Sequence, residues 1–143
     1  MKNEESGGAS ARRLAPGKLI AAAAKVRGSA VAPHSKFKVG AALLTKSGEI
    51  ITGANVESVS YGLTCCAERV ALFHALTSGK RDFVAVAVVA RKQNGPIPCG
   101  ACRQLLAEYA PKATVYVADS RALNCRRKFS VQELLPDAFL DVP

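Results

Sequence analysis

Apolar residues along the chain follow two spacings, and each spacing predicts one kind of element. The alanine-rich stretch at 14–30 predicts a helix that begins at Pro16, because proline is tolerated in a first helical turn. Residues 37–56 predict two strands around a "KSGE" turn, which together form a hairpin. Residues 66–78 predict a second helix, ended by Gly79 in the left-handed capping conformation.

The second half of the chain continues this alternation. The unbroken apolar run at 83–90 predicts a strand that is buried on both faces. A helix at 100–109 and a strand in "ATVYVAD" follow, and "RRKFSVQELLP" predicts a short strand and helix. Strands that alternate with helices favour the α/β class. We expect a three-layer α/β/α fold with a mixed sheet of about five strands, in which the first hairpin supplies the antiparallel part.

Composition limits the kind of protein. With 143 residues, 49% of them hydrophobic, the chain suits one globular domain at 15–143 behind a polar, flexible tail at 1–14. The first residues lack the apolar centre of a secretory signal, so we expect a cytoplasmic protein. The net charge of +9 favours anionic partners, but the basic residues are scattered, with one short run at 126–128 and no interleaved aromatics. We therefore expect a solvated basic surface, with neither nucleic acid nor membrane as a partner.

Five cysteines, an odd number, favour metal or thiol chemistry over a disulfide framework. Cys99 and Cys102 form a C-x2-C pair, whose spacing lets two thiolates reach one tetrahedral metal from a turn that leads into a helix. Cys66, at another helix start, is the candidate third ligand, and its neighbour Cys65 is the competing one. Cys125 is predicted to be an incidental thiol.

A carboxylate follows Cys66 by two residues, in the first turn of the predicted helix. There Glu68 is expected to lie beside a metal-bound water without itself binding the metal, as a proton carrier must. The alternatives are a structural zinc knuckle for the cysteines and an ordinary first-turn charge for Glu68. Arg69 and Arg103, each directly after one of these residues, are predicted to donate hydrogen bonds to the thiolates and draw charge off them.

These motifs, C-A-E followed by P-C-x-x-C, resemble the signature of the zinc-dependent cytidine deaminase superfamily in its three-cysteine form. The resemblance extends over about residues 15–140, and its segments are similar to those of small, tetrameric deaminases of free nucleosides. It is carried by "SKFKVGAALLTKSGEIITGANVES" at 35–58, "SYGLTCCAERVALF" at 60–73, "PCGACRQLLAEYAP" at 98–111 and "VQELLPDAF" at 131–139.

The resemblance implies a mechanism. One zinc per subunit is held by Cys66, Cys99 and Cys102, and Glu68 takes a proton from the zinc-bound water. Glu68 then delivers that proton to N3 of the cytosine ring and helps protonate the leaving amine after attack at C4. Cytidine and deoxycytidine become uridine and deoxyuridine plus ammonia, in pyrimidine salvage.

The resemblance also implies binding roles. Phe37 packs against the base, Asn55 and Glu57 bind the ribose hydroxyls, Ala67 makes a backbone contact to the pyrimidine edge, and Tyr61 supports them. A carboxylate at the ribose 3′ oxygen repels a phosphate there, which favours free nucleosides. The alternatives are a core position for Phe37, a solvated strand end for Asn55 and Glu57, and simple packing for Tyr61.

Phe139 resembles the aromatic that reaches into a neighbouring subunit's site in a homotetramer; its alternative is a core anchor within one chain. His34 and Ser58 depart from the family pattern, which commonly has tyrosine and asparagine there, beside the expected ribose-binding loops. These departures leave room for a related substrate such as blasticidin S or a modified cytosine nucleoside. A nonenzymatic zinc module that binds nucleic acid is the other alternative.

Overall fold

A computed structural model describes residues 16–142, so the predicted tail at 1–14 lies outside the described residues. The predicted helices and strands are all present, with ends that move by a few residues. In chain order they are α1 (Gly17–Val26), β1 (Val39–Thr45), β2 (Ile50–Ala54), α2 (Ala67–Thr77), β3 (Phe83–Ala90), α3 (Gly100–Tyr109), β4 (Thr114–Asp119), β5 (Arg127–Ser130) and α4 (Val131–Leu134). Single 3-10 turns follow α1 at Arg27–Ser29 and precede α2 at Tyr61–Leu63.

The five strands form one mixed sheet in the order β2-β1-β3-β4-β5. Only β3 and β4 are parallel among these strands, and α3 is the crossover between them. The pairs β1–β2, β1–β3 and β4–β5 are antiparallel. The expectation that the first hairpin alone supplies the antiparallel part is therefore wrong. A short loop joins β4 to β5, and parallel neighbours need a longer crossover.

Helices cover both faces of the sheet, which confirms the three-layer α/β/α prediction. On one face α1 packs Leu19 and Ile20 against Leu44 of β1. On the other face α2 and α3 pack against Leu43 of β1 and Val86 of β3. Successive strand residues point to opposite faces, so neighbouring leucines of β1 belong to different cores. In the described range, no helix combines the length and the apolar character that crossing a bilayer requires.

Two glycines let the helices approach the hairpin closely. A Cβ atom at Gly53 of β2 would lie 2.3 Å from the backbone nitrogen of Ala71 in α2. A Cβ atom at Gly40 of β1 would lie 2.0 Å from the carbonyl oxygen of Ala23 in α1. Real Cβ atoms do not tolerate such contacts, so any larger residue must push the helix away. Gly53 thus sets the position of α2 on the sheet.

Short backbone pairings fix the start of α2. Val56, beyond the end of β2, exchanges two backbone hydrogen bonds with Cys65, at 3.0 and 2.9 Å. These bonds hold the chain immediately before Cys66, the residue that precedes α2. Cys99 precedes α3 in the same way. The amino-terminal ends of two helices therefore carry the cysteines singled out in the sequence, beside the C-terminal half of β3.

Candidate active site

Three thiols converge where α2 and α3 begin. Cys66 and Cys99 directly precede these helices, and Cys102 lies in the first turn of α3. The Sγ atoms of Cys66 and Cys99 are 3.8 Å apart, and those of Cys99 and Cys102 are 3.6 Å apart. All three sulfurs lie within 4.8 Å of one another. We call these three residues the thiol cluster.

The spacing of the sulfurs fits one zinc ion. Zinc–thiolate bonds of about 2.3 Å at tetrahedral angles put neighbouring sulfurs roughly 3.8 Å apart. The two separations of 3.8 and 3.6 Å are close to that value. Three protein ligands leave one coordination position open, which is the arrangement of catalytic rather than structural zinc.

Hydrogen bonds within the cluster favour thiolate at Cys66. The bond with Cys102, supported by Arg69 and Cys99, lowers the pKa of Cys66 to about 5. The same hydrogen bond, in which the Cys102 thiol is the donor, raises the pKa of Cys102. The start of a helix also favours a thiolate over a thiol. Metals bind only the deprotonated sulfur. Cys66 is therefore the ligand most ready to bind a metal, and thiols of the cluster that are still protonated release their protons when the metal binds.

Arg69 turns its guanidinium toward the cluster from the first turn of α2. Nη2 donates to Sγ of Cys66 at 3.4 Å and to the carbonyl oxygen of Thr64 at 3.3 Å. The contact with Cys66 raises the pKa of Arg69, which therefore stays cationic. Its buried Nε has no hydrogen-bond partner within residues 16–142. This fixed positive charge offsets part of the negative charge that three thiolates leave around a divalent ion.

Arg103 does not occupy the predicted place beside the sulfurs. Its Nε donates to the carbonyl oxygen of Pro98 at 2.7 Å, and its Nη1 donates to that of Leu134 at 2.9 Å. The prediction rested on its position directly after Cys102. However, residues next to each other on a helix point in different directions, so the guanidinium faces α4 instead of the metal site.

Glu68 lies in the first turn of α2 with only 6% of its surface exposed. Burial raises the pKa of its carboxyl from the usual 4.5 to about 7, because the charged form loses its water. The residue lines the same cavity as Cys66 and Cys99. A carboxyl with a pKa near neutrality can both accept and donate a proton under physiological conditions.

A cavity of about 210 Å³ opens beside the cluster and Glu68. Phe37, Asn55 and Ala67 form part of its wall. Phe37 lines this cavity and is 39% exposed, so it is not a core residue. Ala67 is fully buried at the start of α2. Further wall residues are Val39, Thr64, Val88, Pro96 and Ile97.

Asn55 holds the chain segment that carries Phe37. Its Oδ1 accepts from the backbone nitrogen of Val39, and its Nδ2 donates to the carbonyl oxygen of Phe37, both at 2.9 Å. The side chain is buried, with 7% exposed. This burial excludes the alternative interpretation, in which Asn55 is a solvated residue at the end of a strand. The amide shapes the cavity wall as well as lining it.

Glu57 lines a second cavity of about 240 Å³. Its carboxylate accepts hydrogen bonds from the backbone nitrogens of His34 and Ser35, at 2.9 and 3.1 Å, and from the Ser35 hydroxyl. The Ser35 bonds lower the pKa of Glu57, so the carboxylate stays ionised. Thr64 lines both cavities. Together the adjoining cavities fall in the range of about 300–1,000 Å³ that is typical of small-molecule sites.

Two predicted site residues are strongly exposed. Tyr61 is 82% exposed at the mouth of the second cavity, and Phe139 is 66% exposed near the C-terminus. The structure therefore excludes the alternative that the Phe139 ring is a core anchor within its own chain. It does not bring Phe139 to the cavity of the same chain.

The remaining residues of interest lie outside the thiol cluster. Cys65 is half-buried, and burial raises the pKa of its thiol, whereas Cys125 is exposed. The cluster contains Cys66 rather than Cys65. His34 and Ser58 both line the second cavity, beside Glu57. The two departures from the family pattern thus affect the neighbourhood of Glu57 and leave the metal ligands unchanged.

Sequence reasoning missed the role of Ser35. Its hydroxyl donates to Glu57 and accepts from the backbone nitrogen of Phe37 at 2.9 Å. The signal was present, because a serine in a turn commonly accepts a hydrogen bond from the backbone two residues further on. Thr64 was also missed, since nothing in the pattern marks a residue between a 3-10 turn and a helix as part of a cavity wall.

An α/β/α sandwich with an open three-thiolate site and a buried carboxyl beside a small-molecule cavity defines a zinc-dependent hydrolase. Comparison with known proteins identifies the family. The model of the cytidine and deoxycytidylate deaminase zinc-binding region matches residues 16–118. The chain belongs to this zinc-binding deaminase family, which confirms the resemblance found in the sequence.

Individual relatives agree with this assignment. A cytidine deaminase of Halalkalibacterium halodurans is 52% identical over 122 residues, 85% of this chain and 91% of that protein. The crystal structure of cytidine deaminase from Burkholderia pseudomallei matches with a TM-score of 0.81 at 48% identity, over 85% of this chain and 97% of that one. A blasticidin-S deaminase of Bacillus cereus is 34% identical over 110 residues, 71% of this chain and 76% of that protein.

Proposed function

We propose that the protein is a zinc-dependent enzyme that hydrolyses cytidine and deoxycytidine to uridine and deoxyuridine plus ammonia. One observation carries the proposal: the buried carboxyl of Glu68 lines the same cavity as Cys66 and Cys99 of the thiol cluster. A purely structural zinc knuckle would not need a carboxyl with a pKa near neutrality beside it. The similarity to cytidine deaminases over most of the chain identifies the substrate class.

The mechanism follows from the position of Glu68. Cys66, Cys99 and Cys102 would hold the zinc, which would supply the Lewis acidity that makes a water molecule easier to deprotonate. Glu68 accepts a proton from the attacking water and transfers it to N3 of the cytosine ring as the new C4–O bond forms. Glu68 then moves the other proton of that water from the new hydroxyl group at C4 to the exocyclic nitrogen. The C4–N bond breaks and ammonia leaves.

The cavity walls bind and orient the nucleoside. The Phe37 ring packs against the base, the backbone at Ala67 contacts the pyrimidine edge, and Asn55 and Glu57 bind ribose hydroxyls. Glu57 is held ionised by its hydrogen bonds. An ionised carboxylate at the 3′ side repels a phosphate, so free nucleosides are favoured over nucleotides and polynucleotides.

We further propose a homotetramer with shared active sites, in which Phe139 completes the site of a neighbouring subunit and Tyr61 supports it. Both rings are largely exposed, although large aromatic side chains usually lie in a core or an interface. An interface that contributes a residue to the partner's site would explain why these rings are left uncovered in one chain.

The proposed cellular role is pyrimidine salvage in the cytoplasm. Its chemical support is that thiolate ligands must stay reduced, as in a reducing compartment. Expression in a pyrimidine auxotroph that lacks its own cytidine deaminase tests the role. Growth with cytidine as the only pyrimidine source is the expected outcome, and failure to grow with active enzyme present would contradict it.

The substrate assignment is tested on the purified, zinc-loaded protein. Cytidine, deoxycytidine, cytidine monophosphate, adenosine and blasticidin S are compared by ammonia release and ultraviolet change. We expect rapid turnover of the first two and poor use of the monophosphate. Activity confined to blasticidin S would move the function to that related branch, and inactivity on all five would favour a nonenzymatic zinc module.

The role of Glu68 is tested by Glu68→Gln, which keeps the shape of the side chain but cannot carry a proton. We expect unchanged zinc content and a kcat lower by about 10²- to 10⁴-fold, the usual contribution of general acid–base catalysis. Glu108→Gln, an exposed position on α3, is the control and keeps full activity. Full activity in Glu68→Gln would refute the mechanism.

A further inference from the structure

Two neighbouring side chains of α3 hold the C-terminal segment, defined here as residues 135–142, which follows α4 and has no helix or strand of its own. Arg103 Nη1 donates to the carbonyl oxygen of Leu134, the last residue of α4 and the one directly before the segment, at 2.9 Å. Gln104 Nε2 donates to the carbonyl oxygen of Phe139 at 2.8 Å. An irregular segment takes a fixed path only where such bonds satisfy its backbone. The path of the C-terminal segment is therefore set from α3.

Arg103 also holds the loop that brings Cys99 to the thiol cluster. Its Nε donates to the carbonyl oxygen of Pro98, directly before Cys99, at 2.7 Å. The guanidinium is planar, and its donors form a rigid fork. One rigid group thus fixes the distance between Pro98 and Leu134, which are far apart in sequence. The side chain is half-buried, so water replaces these bonds only in part when they are lost.

We propose that Arg103 is a positioning residue that couples the metal-binding loop to the C-terminal segment. Without its guanidinium, the carbonyl groups of Pro98 and Leu134 both lose their donor, so Cys99 and the start of the C-terminal segment that leads to Phe139 are freed together. The effect on zinc follows from the thiol cluster, whereas the functional value of placing Phe139 rests on the proposed function. Arg103 thereby acts on the site through the backbone and not through contact with the sulfurs.

The experiment uses the full-length, zinc-loaded protein with Phe139→Trp as a reporter. The chain contains no tryptophan, so the emission excited at wavelengths that its three tyrosines do not absorb comes from the C-terminal segment alone. Arg103→Ala, Arg103→Lys and Gln104→Ala are each made in this background. Two quantities are measured: the rate of zinc transfer to a chromophoric chelator, and the emission maximum with its quenching by acrylamide.

Gln104→Ala is the matched control, because it frees Phe139 but leaves the bond to Pro98 intact. We expect Arg103→Ala to release zinc about tenfold faster and to change the tryptophan emission, since lost supporting contacts typically cost 10- to 100-fold in metal affinity. Gln104→Ala changes the emission but keeps zinc release within about twofold of the parent. Arg103→Lys resembles Arg103→Ala, because an ammonium lacks the fork that spans both carbonyls.

Unchanged zinc release in Arg103→Ala would overturn the proposal. Faster release with an unaltered emission would also overturn it, because the loop and the segment would then be independent. Should Arg103→Ala fail to fold, Arg103→Lys carries the same comparison. If Phe139 has no role in a nucleoside site, the parent emission does not respond to added cytidine, yet the effects of Arg103 remain measurable. The two failures are thus distinguishable.

Discussion

At the scale of single residues, the chemistry of Glu68 depends on where the fold places it. The same carboxyl on an exposed first turn would be ionised at neutral pH and could not donate a proton. Burial at the start of α2 raises its pKa to about 7. The fold therefore converts an ordinary helix-start residue into a group that exchanges protons near physiological pH.

This burial has a measurable effect on the stability of the zinc-free protein. The folded state binds the Glu68 proton more tightly than the unfolded state, so stability falls as pH rises from the unfolded pKa near 4.5 to the folded pKa of about 7. Glu68→Gln removes this loss. It should raise the free energy of unfolding by up to about 3 kcal/mol near pH 8 and by little near pH 4.

Urea denaturation of both zinc-free proteins at the two pH values checks the prediction. Glu108→Gln serves as control and changes stability little at either pH. An equal gain from Glu68→Gln at both pH values would show that packing, and not ionisation, is responsible.

Ser35 is predicted to determine how well Glu57 binds the sugar. Ser35→Ala removes the hydroxyl that holds both Glu57 and the backbone of Phe37. We expect the KM for cytidine to rise about fivefold with kcat nearly unchanged, as for loss of one hydrogen bond. The pKa of Glu57 rises toward its ordinary value, because the largest cause of its lowering is gone, so the acid limb of kcat/KM moves to higher pH.

Steady-state kinetics with two substrates separate this role from a general loss of structure. The effect of Ser35→Ala shrinks with 3′-deoxycytidine, which lacks the hydroxyl that Glu57 is proposed to bind. Ser35→Thr keeps a hydroxyl and should restore most of the affinity. Equal losses with both nucleosides would contradict the assignment.

The site residues differ in how far the sequence could predict them. The three cysteines and Glu68 occur in two short motifs at helix starts, so their spacing already encodes their geometry. Arg103 could not be placed, because its partners are backbone carbonyls, one of them 31 residues away. Backbone acceptors carry no residue signature, and only the folded chain shows which of them a side chain reaches.

At the scale of elements, the hydrophobic pattern predicted the helices and strands because each buries a regular face. Beyond the first hairpin it did not predict how the strands pair, since an apolar strand fits either direction of neighbour. It also did not identify Gly53 as the contact that sets the position of α2. A glycine inside a strand pattern indicates close approach of another backbone, but the sequence alone does not say which one.

Gly53→Ala tests this contact. The added methyl group would meet the backbone of Ala71, so α2 must move away from β2. We expect the free energy of unfolding to fall by about 1–3 kcal/mol, the usual cost of overpacking. Because α2 begins at the thiol cluster, zinc should also dissociate faster.

Gly28→Ala is the control, because nothing lies within 4 Å of a Cβ atom there. Chemical denaturation and zinc transfer to a chelator are measured for both variants. Normal stability in Gly53→Ala would show that α2 can shift without cost, and normal zinc release would show that the shift does not reach Cys66.

At the scale of the whole molecule, one chain leaves apolar and aromatic side chains exposed near the second cavity and at the C-terminus. Val59, Tyr61 and Leu63 are 83%, 82% and 75% exposed, and Phe139 and Leu140 are 66% and 52% exposed. Groups of exposed apolar side chains often mark an interface. The two groups lie on different parts of the chain, which suits an assembly in which each subunit both receives and supplies an aromatic side chain.

Mixing two inactive variants tests whether the active site is shared. Glu68→Gln removes the proton carrier, and Phe139→Ala removes the ring that is proposed to enter the neighbouring site, so each homo-oligomer should be nearly inactive. When the two are unfolded together and refolded as a mixture, about a quarter of the sites combine an intact Glu68 with an intact Phe139 from a neighbour. Ammonia release should then rise well above that of either variant alone.

Separate refolding before mixing is the control, since subunits that do not exchange form no complete site. Activity no greater than the average of the two variants, with mixed oligomers verified by sedimentation and mass spectrometry, would show that each chain completes its own site.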